Sequence, residues 1–246
     1  LNGASNLRDR LDAVRDRIAR SAARAGRNPK EVTLIGVSKS ITPARVREAV
    51  DLGLADLGEN RVQEAEVKLA AVGRTAARWH MIGHLQRNKA GKAVELFDRV
   101  HSLDSVELAA SVSRRAAAAG IRLPVLLEVN VSGESSKHGV APQAAASVAA
   151  SIAELPALAL DGLMTIAPFS DAPEEARPHF AALRRLRDRL ERDLRLTLPQ
   201  LSMGMTADFE VAVEEGSTMV RIGTALFGER LDGAGPGAVV PPHPAG

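Results

Sequence analysis

Residues 32–40 read Val-Thr-Leu-Ile-Gly-Val-Ser-Lys-Ser, and the reading of this stretch decides the fold. Val32 to Val37 is a short apolar, β-branched run that follows Asn28-Pro29, the pattern of a buried strand. Lys39 comes two residues after the run ends. Thr42-Pro43 then supplies the cap and first position of a helix, with Glu48 in its second turn. A strand that stops, presents one lysine and turns into a helix puts that amine at the carboxyl edge of a sheet. In parallel α/β folds that edge is where ligands bind. An amine held there, partly desolvated, is suited to forming a Schiff base with a carbonyl. For this stretch alone the competing reading is a solvated surface lysine at a strand end. Lysine is scarce in the chain, which has only Lys30, Lys39, Lys68, Lys89, Lys92 and Lys137 and leaves basic surface duty to Arg, so a lysine flush with a strand end needs a reason.

Working outward, Asn6 to Ala25 carries Leu7, Leu11, Val14, Ile18 and Ala22 at helical spacing against a charged face. Downstream, strand patterns fall at Ala55–Gly58, Arg78–Gly83, Arg99–Ser102, Val125–Val131, Leu158–Met164, Gln200–Ser202 and Thr218–Ile222. Helical patterns fall between them at about 43–52, 62–72, 84–96, 104–120, 142–154, 174–192 and 207–215, with Asp104 as the cap of the Ala-rich helix. Eight strands alternating with helices argue for a parallel sheet, and eight units in about 230 residues argue for a single closed (β/α)₈ barrel. An open doubly wound sheet is the alternative, weakened because no Gly-rich dinucleotide fingerprint follows the first strand. Residues 231–246, rich in Gly and Pro, read as a disordered tail, which leaves 1–230 as the barrel with its N-terminal helix.

Composition closes several classes. The 246 residues contain no Cys, so disulfides, thiolate metal sites and Cys nucleophiles are excluded. No run approaches a membrane span and no signal-peptide core opens the chain, so the expected location is the cytoplasm. A net charge of +2 does not imply nucleic acid, since the basic residues interleave with acids on helical faces such as Arg184–Arg195. Aromatics make up 2% of the chain, with no Tyr and one Trp, so the core must be built from Ala, Leu, Val and Ile. With so few aromatics no interface patch stands out, and a monomer is expected.

In a barrel, the residues after each strand share one mouth. They are Lys39, Glu59-Asn60, His80 and His84, Ser102, Asn130, Met164-Thr165, Ser202-Met203-Gly204-Met205 and Arg221-Ile222-Gly223-Thr224. Gly204 and Gly223-Thr224, after the last two strands, offer backbone N–H groups to an anion, and the Ser202 and Thr224 hydroxyls add donors. Arg221 ends the last strand and points toward the same mouth as Lys39. An ion pair to a helix is the alternative for it. His80 and His84 lack the further ligands of a metal site, and no metal is expected.

Five ordered blocks now carry a resemblance: Val-Ser-Lys (37–39), Gly-Glu-Asn-Arg-Val-Gln-Glu (58–64), Trp-His-Met-Ile-Gly-His-Leu-Gln-Arg-Asn-Lys (79–89), Ser-Met-Gly-Met-Thr-Ala-Asp (202–208) and Val-Arg-Ile-Gly-Thr-Ala-Leu-Phe-Gly (220–228). Over about residues 7–230 the chain resembles the YggS/PROSC family of pyridoxal 5′-phosphate (PLP) homeostasis proteins. The resemblance implies one (β/α)₈ barrel like the N-terminal domain of alanine racemase (fold type III), with PLP held as an internal aldimine on Lys39. It implies Arg221 facing the pyridine nitrogen, phosphate held by Ser202, Gly223 and Thr224, and Asn60 and Met203-Gly204 lining the site. At Thr206 the family more often has Ser, and the hydroxyl is kept.

An Arg opposite the pyridine nitrogen keeps that nitrogen unprotonated, which makes the ring a poorer electron sink. Racemases of related fold work with such an Arg but bring a tyrosine base from a second domain, and no tyrosine exists here. Two-sided proton transfer at an amino acid Cα then lacks one partner, so no catalytic residue is expected. The expected function is a PLP carrier or regulator in vitamin B6 and amino acid homeostasis, with PLP-dependent apo-enzymes as possible acceptors. The alternatives are a PLP-dependent amino acid racemase or decarboxylase, and a PLP-free aldolase working through Lys39.

Overall fold

The computed structural model describes residues 6–134 and 137–228. The tail expected at 231–246 lies outside the described residues. Eight parallel strands close into one barrel in sequence order: β1 (Thr33–Val37), β2 (Asp56–Glu59), β3 (Arg78–Met81), β4 (Arg99–Leu103), β5 (Leu123–Glu128), β6 (Leu158–Met164), β7 (Gln200–Ser202) and β8 (Met219–Ile222). Closure is the β1–β8 pairing, which sets Ile35 beside Arg221. The expected (β/α)₈ barrel is the observed one, and the open sheet is excluded.

Helices α1 (Leu7–Arg24), α2 (Pro43–Asp51), α3 (Val62–Val72), α4 (Ala90–Leu96), α5 (Val106–Ala118), α6 (Ala145–Ala153), α7 (Arg177–Leu194), α8 (Phe209–Glu214) and α9 (Thr224–Phe227) surround it. Most apolar burial is between sheet and helices, where Trp79, Phe97, Phe180 and Phe209 are fully covered. α1 is capped by Asn6, whose side chain accepts from the Asp9 amide at 2.9 Å. It lays its apolar face on α8 and α9 and is clamped by the bidentate Arg17–Glu210 pair.

Several boundaries move from the expected ones. Ser105, rather than Asp104, caps α5 by accepting from the Leu108 amide. β5 ends at Glu128, because beyond it Val129 forms only an isolated bridge with Val140. Helix α6 begins three residues after Pro142, and α9 is an additional turn directly after β8.

A smaller apolar cluster of Ile35, Leu126, Met164 and Met219 stands apart from the main core. These residues share the inward strand parity with Asp56, His80, Glu128, Ser202 and Arg221, so the barrel interior is half apolar and half polar. That polar half positions the site.

Candidate functional site

Lys39 sits at the first corner of a tight turn closed by the Ile41 amide donating to the Ser38 carbonyl at 2.9 Å. Ser40, the second corner, has φ +62°, a conformation that type II turns require and that glycine usually supplies. The turn is tied down from below. Lys68 on α3 donates to the Ser38 carbonyl and pairs with Glu59 at 2.6 Å, while Ser38 Oγ donates to the same carboxylate. Burial pushes the Glu59 carboxyl up, and the Lys68 ammonium opposes that rise. The Ser40 amide donates to Glu64 at 3.0 Å, which fixes the second corner. Lys39 itself is half-buried and stands on the wall of a cavity of about 980 Å³, with Asn60, Met81, Gly83, His84, Leu85, Gln86 and Lys89 among its lining residues. Arg221, Gly223 and Thr224 are not among its lining residues. Gly83 is required where it is, since a Cβ there would lie 2.4 Å from the Asn60 carbonyl oxygen.

Across the mouth, Arg221 is fully enclosed. Its Nη1 donates to Ser202 Oγ at 2.6 Å and its Nη2 to the Thr165 carbonyl at 2.8 Å. Burial pulls its pKa down to about 10, against the pull of Asp208 and Glu128 in the other direction. Neither carboxylate hydrogen-bonds the guanidinium among the described residues, so the alternative of an ion pair to a helix is not what the structure shows.

Ser202 departs from its expected place. It is fully buried inside the barrel, its hydroxyl lying 2.6 Å from Arg221 Nη1 and 2.9 Å from His101 Nδ1 rather than facing the mouth. Met203, one residue on, has the opposite parity and packs in the outer core, where its carbonyl accepts from Ser217. The hydroxyl that does reach the loop beside Gly223-Thr224 belongs to Thr206, whose Oγ1 accepts from the Ala225 amide at 3.4 Å. Gly204 has φ +93°, and a Cβ there would lie 2.5 Å from Ala212 Cβ, so only glycine makes this turn. Its carbonyl accepts from the Arg221 amide, which ties the β7 loop to β8. Gly223 is the N-cap of the short helix α9, and Thr224 is exposed.

Other residues of the expected mouth are engaged elsewhere. Asn130 folds back on its own loop, donating to the Glu134 carbonyl and accepting from the Gly133 amide. Glu59 faces Lys68 of α3 rather than the interior. His80 lies inside the barrel, with Nε2 2.9 Å from Asp56 Oδ1 and Nδ1 3.0 Å from His101 Nε2. At the rim, His84, Asp104 and His138 bring ligand-type atoms within 4.8 Å of one another. The two imidazoles stack face to face, with centroids 3.9 Å apart and 11° between planes. Their in-plane lone pairs therefore run side by side instead of converging on one point, and the trio is not arranged as a metal cage.

Glu128 is the residue that the sequence reading missed. It ends β5 on the inward face, 5% exposed, and its Oε2 has no hydrogen-bond partner among the described residues. Burial, helped by repulsion from Asp104 and opposed by Arg221, raises its pKa to about 7. The signal available was a lone carboxylate in an otherwise apolar strand, Val125-Leu126-Leu127-Glu128-Val129.

The amine, the enclosed guanidinium and the glycine-turned amides form a set that fits PLP: an amine for an aldehyde, a fixed cation for a ring nitrogen, and N–H donors for a phosphate. Comparison with known proteins agrees. Residues 10–231 match the family model "Alanine racemase, N-terminal domain". The chain is 46% identical over 225 residues to a pyridoxal phosphate homeostasis protein of Aquifex aeolicus, a match covering 92% of this chain and 99% of that one. Identity is also 46% to the protein of that name in Pseudomonas aeruginosa, over 94% and 98% of the two chains. Among solved structures, PipY of Synechococcus elongatus with PLP bound is 37% identical and superposes with a TM-score of 0.81 over 91% of this chain and all of that one. The chain thus belongs to the alanine racemase N-terminal domain family and, within it, to the pyridoxal phosphate homeostasis proteins.

Proposed function

We propose that this protein binds PLP through Lys39 and acts in intracellular PLP and amino acid homeostasis as a carrier or regulator without turnover of its own. The observation that carries this reading is the pairing of a half-buried amine at the end of β1 with an enclosed guanidinium on adjacent β8. When bound, PLP supplies an aldehyde that condenses reversibly with amines. Of the two amines that line the cavity, Lys39 and Lys89, Lys39 is the one at the end of a barrel strand, and the turn through Ser40 holds it there. Arg221 would donate an N–H to the pyridine nitrogen and keep it unprotonated, since a fixed cation disfavours a second one. The amides at Gly223-Thr224 and the Thr206 hydroxyl are the phosphate donors, with Gly204 making the turn that lets them approach. Asn60 lines the cavity beside Lys39, while Met203 supports the loop from behind and Ser202 acts on Arg221.

Three features support a binding role over catalysis. The chain holds no tyrosine to serve as the second base. Lys68 already neutralises Glu59 at the end of β2, and the cation at the ring nitrogen weakens the electron sink. We place the protein in the cytoplasm as a monomer that delivers PLP to apo-enzymes. None of the described helices is long and apolar enough to cross a membrane.

The test is the absorbance of purified protein with added PLP, before and after borohydride, with the modified peptide mapped. A near-visible band that reduction fixes onto Lys39 is expected, and Lys39→Ala should fold normally yet lose it. A band of equal strength in the Lys39→Ala variant would remove Lys39 from the site. Turnover of an amino acid at enzymatic rates by the loaded protein would replace the carrier with the racemase or decarboxylase reading.

A further inference from the structure

Behind Arg221 runs a line of buried polar side chains that PLP binding by itself does not call for. It crosses the barrel from one end to the other. Arg221 Nη1 contacts Ser202 Oγ at 2.6 Å, Ser202 Oγ lies 2.9 Å from His101 Nδ1, and His101 Nε2 lies 3.0 Å from His80 Nδ1. His80 Nε2 is 2.9 Å from Asp56 Oδ1, and Arg78 grips both Asp56 oxygens at 2.6 and 2.7 Å. Ser202 and His101 are fully buried, and Asp56, His80 and Arg221 are 3 to 4% exposed. Barrel interiors of this fold are ordinarily packed with branched aliphatic side chains.

The chemistry of the partners fixes the direction of every bond. Asp56 is an acceptor, because the hydrogen bonds from His80 and Arg78 hold its carboxyl below the usual range despite burial. His80 must then donate from Nε2. At the other end Arg221 can only donate, so the Ser202 proton goes to His101 Nδ1, and a neutral His101 that accepts there donates from Nε2 to His80. Burial, with His80, Arg221 and Arg99 nearby, pushes His101 well below its ordinary value, so it is neutral. Ser202 donates to His101, and its remaining lone pairs accept from Arg221. The reverse polarity needs a proton on both nitrogens of His80. It would also leave the buried Ser202 proton without an acceptor, because Arg221 can only donate and His101 Nδ1 is the other partner of that hydroxyl among the described residues.

We propose that His101 and His80 are positioning residues for Arg221: with Ser202 and Asp56 they form a one-way hydrogen-bonded column that fixes the guanidinium in the plane in which it meets the ligand. The proposal rests on the reading of Arg221 as the partner of the PLP ring nitrogen. A donor locked in place from behind loses little further freedom on binding, and hydrogen bonds aligned in series reinforce one another. The column is anchored at the opposite end of the barrel, so Arg221 is held by the whole cross-section of the sheet and not by β8 alone.

Two measurements test this, one of them independent of PLP. Nitrogen-15 NMR of the PLP-free protein at pH 7.5 should show His80 and His101 both as the Nε2–H tautomer. Rotation about Cζ–Nη of Arg221 should be slow in the wild type and ~10-fold faster in Ser202→Ala and in His101→Phe, the scale of one buried hydrogen bond lost. A proton on Nδ1 of either ring, or unchanged Arg221 rotation, overturns the column. The second measurement is PLP release from the loaded protein. His101→Phe should speed release ~10-fold, the Ser202→Ala/His101→Phe double variant should be no faster than either single variant, and His101→Gln, which keeps one donor and one acceptor, should restore most of the effect. Multiplying effects in the double variant would show that His101 does not act through Ser202. If the wild type took up no PLP while the tautomers and slow rotation stood, the cofactor reading would fail and the column would hold.

Discussion

Glu128 offers the sharpest quantitative test of the site's electrostatics. Its carboxyl is raised from an ordinary 4.5 to about 7, chiefly by burial and then by Asp104. The folded protein thus holds this proton more tightly than the unfolded chain does. The stabilisation is fully present below pH 4.5 and is lost as the pH rises through 7, because over that range the folded state keeps a proton that the unfolded state has released. A tenfold difference in proton affinity is worth about 1.4 kcal/mol, so the loss between pH 4.5 and 7.5 amounts to about 3 kcal/mol. Glu128→Gln replaces the acid by a neutral group of the same shape and removes this dependence. Urea unfolding of PLP-free wild type and variant at pH 4.5, 5.5, 6.5 and 7.5 measures it. Any constant cost of the amide cancels when differences are compared across pH. The variant's stability relative to wild type should rise by about 3 kcal/mol from pH 4.5 to 7.5, with most of the change between 5 and 7. A difference that stays within about 0.5 kcal/mol across that range, the size of an ordinary surface substitution, would refute a buried, unpartnered acid at this position.

Other perturbations follow from the same geometry. Lys68→Met leaves the Glu59 carboxylate buried without its cation and should cost about 3–5 kcal/mol in urea unfolding at pH 7.5, whereas Lys68→Met with Glu59→Leu should recover most of that loss. Recovery failing in the double variant would mean that the pair is not coupled. Gly204→Ala forces a side chain into a left-handed backbone position against Ala212 and should lower stability by roughly 2 kcal/mol or more while weakening PLP binding. Calorimetry showing both unchanged would contradict the turn. Thr206→Val should weaken PLP binding by ~10-fold, as loss of one hydrogen bond to an anion does, and Thr206→Ser should bind as the wild type. Equal titration curves for Thr206→Val and the wild type would move the phosphate elsewhere.

Much of the architecture was legible because its signals are local. The β-branched run Val32–Val37, the proline at the first position of α2 and the regular alternation of strands and helices point to a parallel barrel, and the order of the strands follows from short connections. Lys39 was legible for the same reason, as a lone amine two residues after an apolar strand. Its surroundings were less so. Glu59 and Asn60 are neighbours at the end of β2, and strand periodicity sends one inward and the other toward α3. Only the packing decides that Asn60 takes the cavity and Glu59 the buried lysine. Ser202 and Met203 both leave their expected places by the same one-residue alternation, one inside the barrel against Arg221 and the other in the outer core, and the hydroxyl beside Gly223-Thr224 is that of Thr206.

By itself, the sequence determined that this protein is a parallel α/β barrel whose strand ends carry an amine, a guanidinium and glycine turns, because propensity, periodicity and turn chemistry are properties of neighbouring residues. Only the tertiary structure decided what lies inside. Asp56, Arg78, His80, His101, Ser202 and Arg221 come from five strands, and the first and last of them are far apart in the chain. Strand parity says that they face inward, but closing the sheet between β1 and β8 is what brings them into one hydrogen-bonded line. That line exists because a buried donor or acceptor must find a partner, and the partner is set by which strands meet across the barrel, a distance no local pattern encodes.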